Sequence, residues 1–131
     1  MIVIATLIVA LAAVLHILIF AMESVLWTRP AVWKRFGIPS QAEADTIKPM
    51  AYNQGFYNLF LAIGALVGIV LYGVGQHAIG ATLSLFTMTC MTLAAVVLIT
   101  TGPGRIRSAL IQGILPLAGI VLMLLSEPLP A

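Results

Sequence analysis

The chain has 131 residues, of which 62% are hydrophobic and only 8% charged, with a mean hydropathy of +1.15. A soluble domain carries about 25% charged residues, so this composition excludes a water-soluble fold and places the chain in a membrane. A net charge of +2 is too small to point to nucleic acid, and the lone Cys90 excludes a disulfide framework within one chain.

A helix needs about 20 mostly apolar residues to cross the hydrocarbon layer. Residues 2–26 supply the first such span. No Lys or Arg precedes Arg29, and the run ends in the bulky Val25, Leu26 and Trp27. Both features argue against a cleaved leader and for a retained membrane helix. Residues 27–49 form a loop with structure of its own. Ser40 and Glu43 have capping-box spacing, which predicts a short helix over 41–47. Pro49 suits the first turn of the second span, where its missing N–H costs nothing. The second span covers residues 50–72, the third 78–100 and the fourth 108–125. The turns between them are GVGQH at 73–77 and TGPGR at 101–105. The final EPLPA cannot continue a helix well. The expectation is an all-α membrane protein, a single membrane domain over 1–131 with four transmembrane helices in an antiparallel bundle.

The six basic residues orient it. Arg29, Lys34, Arg35 and Lys48 lie between spans one and two, and Arg105 and Arg107 between spans three and four. An excess of Lys and Arg marks cytoplasmic loops, so loops 27–49 and 101–107 are expected inside and both termini outside. Trp27, Trp33 and Phe36 fit an aromatic belt at the inner interface. Trp33-Lys34-Arg35-Phe36 fits a segment lying on anionic membrane lipids.

At about 100° per residue, His16, Phe20, Glu23 and Trp27 share one face of the first span. On the second span, Asn53, Gln54, Tyr57 and Asn58 fall in one broad arc, continued by Leu61, Gly64 and Gly68. Ser84, Thr87, Met91 and Ala95 make a stripe on the third span, and Ser108, Gln112, Gly119 and Met123 on the fourth. At 1.5 Å per residue, Glu23 lies about 5 Å inside its helix end, Gln112 about 6 Å, Tyr57 about 10 Å and His16 about 16 Å. In alternating helices these depths fall in one half of the bilayer. Pro116 also frees the carbonyl of Gln112 at that depth. Intramembrane carboxylates are costly and point to function by default. The expected site therefore joins Glu23, Asn53, Tyr57, Asn58 and Gln112 as ligand-binding residues, with His16 and Glu23 as the candidate catalytic acid/base pair. The plainer reading is interhelical hydrogen bonding, each bond worth about 1 kcal/mol. Gly64 and Gly68 have the spacing of close helix packing, and Met22, Met88 and Met91 read as apolar filler. With one Cys and two His, no metal-ligand spacing is present, and GVG and GPG are turns rather than phosphate loops. No metal and no cofactor is expected.

His16, "MESVLW" at 22–27, Phe36-Gly37 and above all "NQGFYNLFLAIG" at 53–64 resemble the bacterial integral membrane proteins of the domain-of-unknown-function family thirteen-zero-four. The resemblance spans nearly the whole chain. It implies four membrane helices in a bacterial plasma membrane, the same polar residues at His16, Glu23, Asn53, Gln54, Gly55, Tyr57 and Asn58, and no established reaction. The function expected is a polar pocket in the cytoplasmic half of the bundle that binds, or transforms by acid/base chemistry, a small lipophilic molecule. The alternatives are a small proton-coupled exporter acting as a homo-oligomer, and an accessory subunit whose polar cluster is structural.

Overall fold

The computed structural model describes residues 1–126; the tail 127–131, expected to lie beyond the last helix, falls outside the described residues. Helix α1 spans Ile2–Phe20 and runs on into a single π-helical turn, Ala21–Val25. A short α2, Pro30–Trp33, and a 3-10 turn, Lys34–Phe36, follow. Then come α3, Gln41–Gly73, α4, His77–Thr100, and α5, Ile106–Ser126. No strand occurs among the described residues. Four helical stretches are long and apolar enough to cross a membrane: Ile2–Val25, Gln41–Gly73, His77–Thr100 and Ile106–Ser126. The chain is a small multi-pass membrane protein.

One boundary departs from the sequence reading. The short helix expected over 41–47 and the second span are one continuous helix of 33 residues. Ser40 does start it, since its Oγ accepts the Glu43 N–H at 3.2 Å. Pro49, however, sits inside the helix and not at the first turn of a separate one. It deletes one backbone hydrogen bond without ending the helix. At 1.5 Å per residue α3 is about 50 Å long, well over the roughly 30 Å of hydrocarbon.

The chain divides into two compact units. The first holds Met1–Leu15 and the chain from Leu61 onward, so segments of α1 and α3 join α4 and α5 in a helix bundle. Small residues set its packing. A methyl group at Gly64 would lie 2.7 Å from Thr87 Cγ2, and one at Gly68 only 2.8 Å from the Ser84 backbone nitrogen. One at Gly113 would lie 2.8 Å from Ala95 Cβ. Gly119 faces Val9 and Met88. Lipid tails are as apolar as leucine, so close contact of small side chains is what holds such helices together. Met88, Met91 and Met123 are fully buried and fill the irregular space that remains.

The second unit, His16–Phe60, contains the end of α1, the π turn, the connecting loop and the first half of α3. Its loop is pinned by a small core of its own. Trp27, Trp33, Ala44 and Ala51 are buried, with Phe36, Ile38 and Ile47 packed against them. Trp27 Nε1 donates to the Ala44 carbonyl at 2.9 Å. The two tryptophans expected at a lipid-facing belt are thus inside the protein, 5% and 4% exposed, because the loop folds back onto the first turns of α3. The basic side chains remain outside, and Lys34 Nζ lies 5.6 Å from the centroid of the Trp33 ring.

Gly37 ends the 3-10 turn in the left-handed region, with φ of 74°. Its N–H bonds the Lys34 carbonyl, and the Ile38 N–H reaches back to that of Trp33, a Schellman closure. A β-branched residue cannot take that conformation cheaply, at roughly 1–2 kcal/mol. Gly37→Val should therefore lower the melting temperature in detergent, and Gly37→Asn should lower it less.

Candidate functional site

Glu23 is carried on the π turn, where the Leu26 N–H bonds the Ala21 carbonyl five residues back, at 2.9 Å. The turn closes the C-terminal end of α1, where π-turns occur. The carboxylate faces α3, and Glu23 Oε2 accepts a hydrogen bond from Asn58 Nδ2 at 2.9 Å. The same amide nitrogen also donates to the Gln54 backbone carbonyl at 3.1 Å. Asn58 is buried at 8% exposure, and Glu23 is half-buried. Next to Glu23, the Ser24 hydroxyl donates to the Tyr52 carbonyl at 2.8 Å. Gly55 lies between these two contacts. A methyl group there would meet the Ser24 hydroxyl, and would come within 3.1 Å of both Glu23 Cβ and the Ser24 backbone nitrogen.

Aromatic rings line the same stretch of α3. Phe56 meets Phe20 edge to face at 5.1 Å, and stands 5.0 Å from Tyr52 and 6.1 Å from Phe60. Tyr52, Phe56 and Phe60 recur every four residues, one above another on the helix. The ladder runs along a different face of α3 from Asn58, since Phe56 and Phe60 each lie two residues from it, about 200° around the helix, and Phe60 is exposed. Sequence reasoning passed over this ladder, although the four-residue spacing was visible.

The expected site residues do not all converge. Glu23 and Asn58 meet directly. Gln54 contributes its backbone carbonyl while its side chain is exposed. Asn53 and Tyr57 are exposed, Tyr57 at 56%, so the expectation that the whole arc faces the bundle interior is corrected. The inward stripe of α3 is Ala51, Gly55, Asn58, Ala62 and Ala65, spaced alternately by four and three residues. Asn53 and Tyr57 each lie two residues from Gly55, about 200° around the helix, and so point the other way. His16 is buried at 1% exposure, seven residues before Glu23. Gln112 is half-buried on α5 and belongs to the other compact unit. Two open apolar grooves of about 500 and 590 Å3 lie on α4 and along α5, and neither is lined by Glu23 or Asn58.

A family model described as a protein of unknown function, DUF1304, matches residues 10–124, and the chain belongs to that family. No curated protein and no solved structure matches it.

Proposed function

We propose that the Glu23–Asn58 pair is the polar end of a binding site for a small lipophilic molecule that carries an O–H or N–H donor. The carrying observation is a carboxylate on an apolar helical stretch long enough to span a membrane, met by one amide from α3. An ionised carboxylate accepts up to about four hydrogen bonds, and Asn58 occupies one of these positions. A donor group on the ligand would take another. Glu23 could then hold or transfer a proton at its free oxygen, which is the acid/base chemistry available here. The test is to purify the protein from its membrane, extract it with organic solvent and compare bound lipophiles by mass spectrometry. The wild type should retain a small molecule that Asn58→Leu loses while still eluting as a folded species. Equal recovery from both proteins would remove Asn58 from the site.

The proposal puts the site on the cytoplasmic side of the membrane, supported by the six basic residues gathered at positions 29–48 and 105–107. Single cysteines at 42 and 76, in a Cys90→Ala background, test this in intact cells. Position 42 should be protected from an impermeant thiol reagent and position 76 labelled. The reverse pattern would move the site to the outer face.

A structural reading competes on one observation. The bonds from Asn58 to Glu23 and from Ser24 to Tyr52 also tie the end of α1 to α3. Under that reading, Asn58→Leu loses stability and any activity in parallel.

A further inference from the structure

The π turn needs an explanation of its own. Ala21–Val25 contains no proline or glycine, and such turns make up well under 1% of residues. The turn closes the C-terminal end of α1, a place where π-turns occur, and α3 packs against it. Three α3 residues, at intervals of three, each engage it. The Tyr52 carbonyl accepts the Ser24 hydroxyl, the bare backbone of Gly55 receives Ser24 and the Glu23 Cβ, and Asn58 donates to the Glu23 carboxylate. If the turn reverted to α-helical bonding, the Leu26 N–H would take the Met22 carbonyl. The segment would then rotate by about one residue, roughly 100°, and Ser24 and Glu23 could not both keep these contacts.

We infer that Gly55 and Ser24 are positioning residues, which hold the π turn against α3 and so aim the Glu23 carboxylate at Asn58. Gly55 acts by having no side chain, and Ser24 acts by anchoring the turn to a backbone carbonyl. The inference builds on the site proposed at Glu23, but it can be read without any ligand.

The experiment uses the full chain in detergent micelles with 15N label in asparagine side chains. The sequence holds only two asparagines, Asn53 and Asn58, so two amide pairs appear, and exposed Asn53 is the internal control. Glu23→Ala sets the position of the Asn58 pair without its acceptor. Gly55→Ala should move the Asn58 pair most of the way to that position and leave Asn53 in place. Ser24→Ala, which adds no atoms, should move it the same way but less far. The double variant Ser24→Ala/Gly55→Ala should recover part of the wild-type shift, because the new methyl no longer meets a hydroxyl. Should Gly55→Ala fail to fold, Ser24→Ala decides alone. Asn58 signals that stay at the wild-type position in the folded variants would overturn the inference. If the wild-type Asn58 pair ignores Glu23→Ala, the proposed site itself fails. If it responds but no lipophile is recovered, the binding reading fails and the positioning role stands.

Discussion

Gly80→Val should leave little folded protein. Val is a slightly better helix former than Gly, so α4 taken alone would gain from the change. The loss comes from what faces it. A methyl group at Gly80 would meet the Tyr72 backbone nitrogen, and would lie 2.6 Å from the Gly68 carbonyl oxygen and 2.7 Å from Tyr72 Cα. These are backbone atoms of α3, which cannot turn aside as a flexible side chain can. Either α3 and α4 separate along their crossing, or the turn between them opens. Overpacking in a well-filled core costs typically 1–3 kcal/mol, and against two helix backbones the cost should reach or exceed the top of that range. Gly73→Val is the control, because none of the described residues lies within 4 Å of a methyl group there. Ser84→Ala is a second control. The Ser84 hydroxyl is buried with no hydrogen-bond partner among the described residues, and removing an unsatisfied group is nearly neutral or stabilising. Size-exclusion profiles and melting temperatures should show Gly80→Val aggregated or much less stable, with both controls close to wild type. A monodisperse Gly80→Val protein with an unchanged melting temperature would show that the α3–α4 contact is looser than described.

The spans could be read from the sequence because an apolar run long enough to cross a bilayer has few other uses, and the residues between the runs are its breaks. The inward stripe of α4 was legible for a related reason. Ser84, Thr87, Met91 and Ala95 are all buried, and small residues on one face of a membrane helix mark its contact side. The same rule, applied to α3, selects Ala51, Gly55 and Ala62. The polar residues between them, Asn53, Gln54 and Tyr57, obscure it there. Asn58 does turn inward, but Asn53 and Tyr57 occupy the opposite face. Trp27 and Trp33 misled in the same way, since an aromatic residue near a span end fits both a lipid interface and a small protein core. Hydropathy does not distinguish the two, and only the folding back of the loop onto α3 decides. The π turn left no trace in its own residues, and the residues that meet it, Tyr52 and Gly55, sit about 30 positions later.

Glu23→Leu should abolish capture of the lipophilic ligand while leaving a folded protein, and Glu23→Gln should fall between it and wild type. Leucine has a similar volume and suits the surroundings of a membrane span, so little packing is lost. Asn58 Nδ2 would lose the carboxylate but keep the Gln54 carbonyl at 3.1 Å, which prevents a bare buried amide. The stability cost should therefore stay within the roughly 0.6–2 kcal/mol of an interhelical hydrogen bond. The effect on binding should be larger. A hydrogen bond to a charged group contributes about 1.5–3 kcal/mol, and each 1.4 kcal/mol is tenfold in affinity, so Glu23→Leu should weaken capture by about ten- to a hundredfold. Gln retains a carbonyl acceptor of the same reach and loses only the charge, so its deficit should be smaller. Melting temperature and extracted ligand, measured on the same purified preparations, separate the two effects. If Glu23→Leu carries as much ligand as wild type, the carboxylate is no part of a binding site, and its bond to Asn58 only ties α1 to α3. If ligand and stability fall together, in Gln as much as in Leu, the pair is structural. A ligand lost from a Leu variant that still melts near the wild-type temperature is the outcome that only a binding role produces.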